Sequence, residues 1–95
     1  MSTSLRVTLV AFMSGSVYDQ EAGLLGWITI DVGGLVLLHG ITLRRSRLGT
    51  LSLSFPKRKG SRGVRYPVSE PLDDDARREI ERQVFAALDD TGDLP

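Results

Sequence analysis

Leu24 to Leu43 reads LLGWITIDVGGLVLLHGITL, two apolar runs joined at Gly33-Gly34. A two-residue primed turn needs positive φ at both central positions, which glycine adopts without strain, so the stretch predicts a β-hairpin. With the turn on those glycines, Val32 is expected opposite Leu35, Ile30 opposite Leu37 and Ile28 opposite His39, all on the core face. Trp27, Thr29 and Asp31 then share the other face with Val36 and Leu38. That face is half apolar and calls for a cover, either a helix or another subunit. Asp31, the glycines and His39 interrupt the region too often for a membrane span.

Outward from the hairpin, further elements follow. Leu5, Val7, Leu9 and Ala11 alternate with polar neighbours, predicting a first strand. Met13 to Gly23, MSGSVYDQEAG, reads as a long mobile connection. Arg44 to Gly49 reads as a turn, and Leu51, Leu53 and Phe55 alternate as a fourth strand that Pro56 ends. Val64 to Val68 suggests a short fifth strand. Leu72 to Leu88, LDDDARREIERQVFAAL, is the one clear helix, with Ala76, Ile80, Val84, Ala87 and Leu88 on a single stripe. Asp73 to Asp75 supply its N-cap and first-turn anions. Arg77–Glu81 and Glu79–Arg82 have the spacing of exposed side-chain pairs. The expected fold is α+β: a small antiparallel sheet of four to five strands, then one C-terminal amphipathic helix, in a single domain over residues 1–95.

A chain of 95 residues buries only about 60–65% of its unfolded surface, so extra burial by self-association is favourable. Without cysteine there is no disulfide framework and no thiolate metal site. The opening MSTSLRVTLVAF lacks the pattern of a secretory signal, and a cytoplasmic location is expected. The formal net charge is zero. That sum hides a division. Val32 to Ser69 holds eight cations and no acid, whereas nine acids lie from Glu70 onward.

The densest part of the basic segment is Ser54 to Pro67, SFPKRKGSRGVRYP. Lys57, Arg58, Lys59, Arg62 and Arg65 fall here between two prolines. A solvated hairpin loop is the bland reading. A grip on a polyanion is the other, because so many cations in so short a span create a local positive potential. Gly60 and Gly63 are expected to let the backbone approach a phosphate. Phe55 and Tyr66 flank the stretch; aromatics at strand ends more often pack in the core or rim, and stacking on unpaired bases is the secondary reading. Gly60-Ser61-Arg62-Gly63 matches the GxxG loop of KH domains, but between strands rather than helices.

Catalytic chemistry is not in evidence. His39, the one histidine, reads as a core residue and has no cysteine to partner. Asp73 to Asp75 lack the spaced ligands of a calcium loop, and no nucleotide-binding fingerprint occurs. No enzyme activity, cofactor, metal site, small-molecule substrate or membrane association is expected.

The order of WITID, LLHGI, SFPKRK, YPV and the amphipathic helix, from Trp27 to Leu88, resembles the SpoVG family of bacterial sporulation and septation regulators. The resemblance implies a small antiparallel sheet with a C-terminal helix, a homodimer, and binding of DNA or RNA to modulate gene expression and cell division. His39 and Ile41 match its strand motif, Pro56 with Lys57 to Lys59 its proline-plus-basic element, and Pro67 its late proline. Where the family carries an arginine, an aspartate and a histidine, this chain has Thr42, the region of Gly63, and Tyr66. Arg77, Arg78 and Arg82 stand where the family's helix also contributes to DNA contact. The expected nucleic-acid-binding set is thus Lys57, Arg58, Lys59, Gly60, Arg62, Gly63, Arg65, Arg77, Arg78 and Arg82. The alternative is a protein-interaction module whose basic loop docks an acidic partner.

Overall fold

The alternating runs pair into a four-stranded antiparallel sheet in the order β1-β2-β3-β4. The strands span Val7–Ser14 (β1), Leu24–Val32 (β2), Val36–Arg45 (β3) and Leu51–Ser54 (β4). A separate two-stranded ribbon, Lys57–Lys59 (β5) with Arg65–Pro67 (β6), precedes the C-terminal helix α2, Asp74–Thr91. A short helix α1, Val17–Glu21, joins β1 to β2. The computed structural model describes residues 5–94, the side chain of Tyr66 excepted. The α+β architecture read from the sequence is the one observed. Among the described residues no helix is long and apolar enough to cross a membrane.

One face of the sheet meets α2. Ile28, Ile30, Ile41, Leu43 and Leu53 from the strands are almost fully buried against Val84 and Leu88 of the helix. Burying such side chains contributes about 1.5–3 kcal/mol each, so this thin layer supplies most of the drive to fold. Asp73 is the helix N-cap, its carboxylate accepting from the Ala76 N–H at 2.8 Å. The helix begins after Leu72 and runs past Leu88, because Gly92 supplies the left-handed residue (φ +77) that ends it.

Several registers differ from the simple alternation. The Gly33-Gly34 turn forms, closed by Leu35 N–H donating to the Val32 carbonyl at 3.1 Å. The ladder then restarts one residue later: Val32 pairs with Val36, and Ile30 with Leu38. A one-residue slip exchanges the faces, so Leu37 points outward and Leu38 inward. A second irregularity on β3, with Gly40 at φ +75, brings Ile41 rather than His39 opposite Ile28. With Leu38 inward, His39 alternates outward: it is an exposed residue, 3.4 Å from Thr29 Oγ1, and not a core histidine. Val10 is the extra residue of a bulge on β1, which turns Phe12 inward and Ala11 outward.

The Met13–Gly23 segment is also more ordered than its polarity suggests. Ser16 and Asp19 form a reciprocal capping box, the Asp19 N–H donating to Ser16 Oγ and the Ser16 N–H to the Asp19 carboxylate. It is a strand end and a helical turn.

Side chains of α2 occupy both edges of the sheet. On β1, Gln83 Oε1 accepts from the Val7 N–H at 2.7 Å, and Gln83 Nε2 donates to the Leu5 carbonyl at 2.9 Å. On β4, Glu81 accepts from the Leu53 N–H at 2.9 Å and Arg77 donates to the Leu53 carbonyl at 2.7 Å. These groups stand in for the backbone of a neighbouring strand and blunt the edges against unwanted pairing. Arg77 and Glu81, expected as an exposed pair, instead clamp one backbone unit together.

Candidate nucleic-acid interface

The basic stretch is a projecting ribbon. Pro56 and Val68 close its base, with the Val68 N–H donating to the Pro56 carbonyl at 3.0 Å. Its tip is a turn in which the Gly60 N–H donates to the Val64 carbonyl at 2.7 Å and the Gly63 N–H to the Gly60 carbonyl at 3.1 Å. Gly63 holds φ +76. Both glycine N–H groups are therefore spent on the turn. Their part is to shape the tip, not to cradle a phosphate with free backbone donors.

Lys57 pairs with Pro67, Arg58 with Tyr66 and Lys59 with Arg65 across the ribbon. Residues two apart share a face, so Lys57, Lys59 and Arg65 lie on one side and Arg58 on the other. All five cations, including Arg62 at the tip, are exposed. Like charges placed directly opposite destabilise a strand pair, as Lys59 and Arg65 do here. An anion between them would remove that cost.

Glu70 lines a pocket with Lys57 and Arg44, but no carboxylate forms an ion pair with a ribbon cation among the described residues. Two ion pairs form among the described residues, Arg78 with Asp75 at 2.9 Å and Arg82 with Glu79, and both lie within α2. The hydrogen bond and charge of Asp75 raise the Arg78 pKa further above its usual value, and Glu79 does the same for Arg82. In return, hydrogen bonds from Arg82 and then Gln83 lower the Glu79 pKa. Arg77 is held at the Leu53 carbonyl, with its guanidinium carbon 5.8 Å from the Phe55 ring centroid. Arg78 and Arg82 stay exposed but each holds a carboxylate of its own helix, and Arg77 holds the β4 backbone.

Phe55 is buried in the core beneath Arg77, which removes it as a stacking surface for bases. The Tyr66 side chain lies outside the described residues. No family model and no curated protein matches the chain.

Beside the ribbon, the structure adds a residue that the sequence-based set omits. Arg44 lies on the face of β3 turned away from the helix, alternating with buried Ile41 and Leu43. Together with Lys57 and Arg65 it lines a cleft of about 260 Å³, to which Thr42 and Ser54 contribute. Three cations from a strand and a ribbon distant in sequence converge at one opening. The hint was the position of Arg44 in the alternation of β3, but its partners depend on where the ribbon folds back.

Proposed function

We propose that the chain is a homodimeric, cytoplasmic nucleic-acid-binding regulator of the SpoVG type, gripping phosphates with the β5–β6 ribbon. The observation that carries this reading is the set of five exposed ribbon cations without a carboxylate partner among the described residues, Lys59 directly facing Arg65. Phosphates along one strand would relieve that repulsion, while Arg44 extends the positive surface onto the sheet. Contacts of this kind position a polymer without reading its bases, so sequence preference is weak. The apolar run Leu35, Val36 and Leu37, exposed at the β2–β3 turn, supports a second copy in the assembly.

Fluorescence anisotropy with labelled single-stranded DNA, duplex DNA and RNA tests the reading. The wild-type chain should bind at low salt, and a variant with Lys57, Arg58, Lys59, Arg62 and Arg65 all changed to Ala should not. Absence of wild-type binding at low salt to every probe overturns the proposal.

The competing reading, a protein-docking ribbon, draws on the exposed acids Asp89, Asp90 and Asp93 near the end of α2, which offer such a ribbon a partner on a second copy. It requires that charge reversal at Lys57, Arg58 and Lys59 change the sedimenting size of a protein that binds no oligonucleotide.

A further inference from the structure

Helix α2 covers one face of the sheet, and the other face has no covering element among the described residues. The strand registers place Met13 beside Trp27, Trp27 beside Thr42, and Thr42 beside Ser54, a single row across all four strands. At its apolar end, Trp27 is 38% and Met13 68% exposed. At its polar end the row enters the cleft of Arg44, Lys57 and Arg65. Neighbouring strands lie about 4.8 Å apart, so Trp27 and Ser54 are separated by roughly 10 Å. That distance suits a phosphate and a nearby base on one extended strand.

We infer that this open face is a platform for single-stranded nucleic acid. An unpaired base stacks on the Trp27 indole while an adjoining phosphate enters the cleft of Arg44, Lys57 and Arg65. Ser54 and Thr42 supply hydroxyl donors there, and the Thr42 hydroxyl is held otherwise only by a 3.4 Å contact with the Ser54 carbonyl. The inference rests on the nucleic-acid reading above and sharpens it to a substrate class. A duplex keeps its base faces inside the stack, so it engages the cations but not the indole, whereas a single strand engages both.

Charge favours this occupant over a second copy of the chain. Asp31 is the only acid in any described strand, and its carboxylate already accepts from the Gly34 N–H at 2.7 Å. A twofold contact through the open face would therefore bring the cations of both copies together, and Glu70, which lines a pocket with Arg44 and Lys57, forms no ion pair with them. A polyanion carries the missing charge.

Trp27 is the only tryptophan in the chain, so its fluorescence reports directly on this site. Titration of the wild-type protein with a short oligothymidylate should quench that emission, and a duplex of the same length should leave it nearly unchanged. Trp27→Ala should weaken oligothymidylate binding about tenfold and leave duplex binding within about twofold, with Trp27→Phe restoring most of the loss. Three results overturn the platform while leaving the broader reading intact. They are unquenched emission at saturating oligothymidylate, equal losses for single strand and duplex in Trp27→Ala, and a changed sedimenting size in Trp27→Ala with unchanged oligonucleotide affinity. The last would make the face a subunit contact. Failure of the wild-type protein to bind either probe overturns both the platform and the nucleic-acid reading.

Discussion

Two surfaces of this molecule display arginine, and they use it differently. On α2, Arg78 and Arg82 each hold a carboxylate three residues away, and Arg77 holds a backbone carbonyl of β4. On the ribbon, five cations stand exposed, and no acid occurs anywhere from Val32 to Ser69. A helix brings residues three and four apart together, so interspersed acids on α2 find their cations locally. A ribbon offers only the residue across and the next but one, and here none of those is an acid. The number of positive charges therefore says little about their role. What matters is whether the local geometry also delivers a counter-charge.

The comparison breaks most visibly if the two sets of cations prove equivalent. Replacing Lys57, Arg58, Lys59, Arg62 and Arg65 by Ala should lower oligonucleotide affinity by about a thousandfold or more near 0.1 M salt, since each phosphate contact contributes close to a decade there. The same variant should melt no lower than the wild type, because it removes repulsion. Arg78→Ala combined with Arg82→Ala should cost little affinity in the same anisotropy assay. Comparable losses from the helix pair would abolish the distinction.

A second variant sharpens the structural side. Glu81→Ala leaves the Leu53 N–H at the β4 edge without its acceptor, which should cost about 1–2 kcal/mol. For a domain of this size each kcal/mol lowers the melting temperature by about 4–8 °C, readable by circular dichroism. Oligonucleotide affinity should not move. A stable Glu81→Ala protein with weakened binding would place that carboxylate in the interface instead of the scaffold.

The smallest effect concerns pH. The folded-state pKa of Glu79 is lowered, so its contribution to stability is present above the ordinary carboxylate range and lost as pH falls through the lowered folded value. Melting curves across mildly acidic pH should show a slightly shallower decline for Glu79→Gln than for wild type. The pair is solvent-exposed, which keeps the difference small. An identical acid profile in the two proteins would remove Glu79 from the account.

Much of this layout was legible in the sequence because it depends on short-range pattern. The Gly33-Gly34 turn, the apolar stripe of α2, the Asp73 cap and the separation of charge all follow from neighbours in the chain. The irregularities were harder to read. Val10 and Gly40 each shift the ladder by one residue, and nothing local distinguishes Gly40 as a bulge from Gly40 as an ordinary interruption. The slip at the turn sets His39 toward water, and the shift at Gly40 returns Ile41 and Leu43 to the core. The same limit applied to the candidate site. The five ribbon cations announced themselves by density, whereas the contribution of Arg44 depends on the ribbon folding back beside β3. Phe55 flanks the basic run like a stacking residue, but the β4 alternation and Arg77 place it in the core.

The dependence of single-strand affinity on salt bears most directly on whether the ribbon takes up phosphates. If about five contacts form per subunit, log affinity should fall against log salt with a slope near −3.5, at ~0.7 per contact for single strands. Alanine at the five ribbon positions should flatten that line almost completely, while Arg78→Ala with Arg82→Ala keeps it steep. A wild-type slope near zero, or a steep slope that survives loss of the ribbon cations, would contradict the assignment.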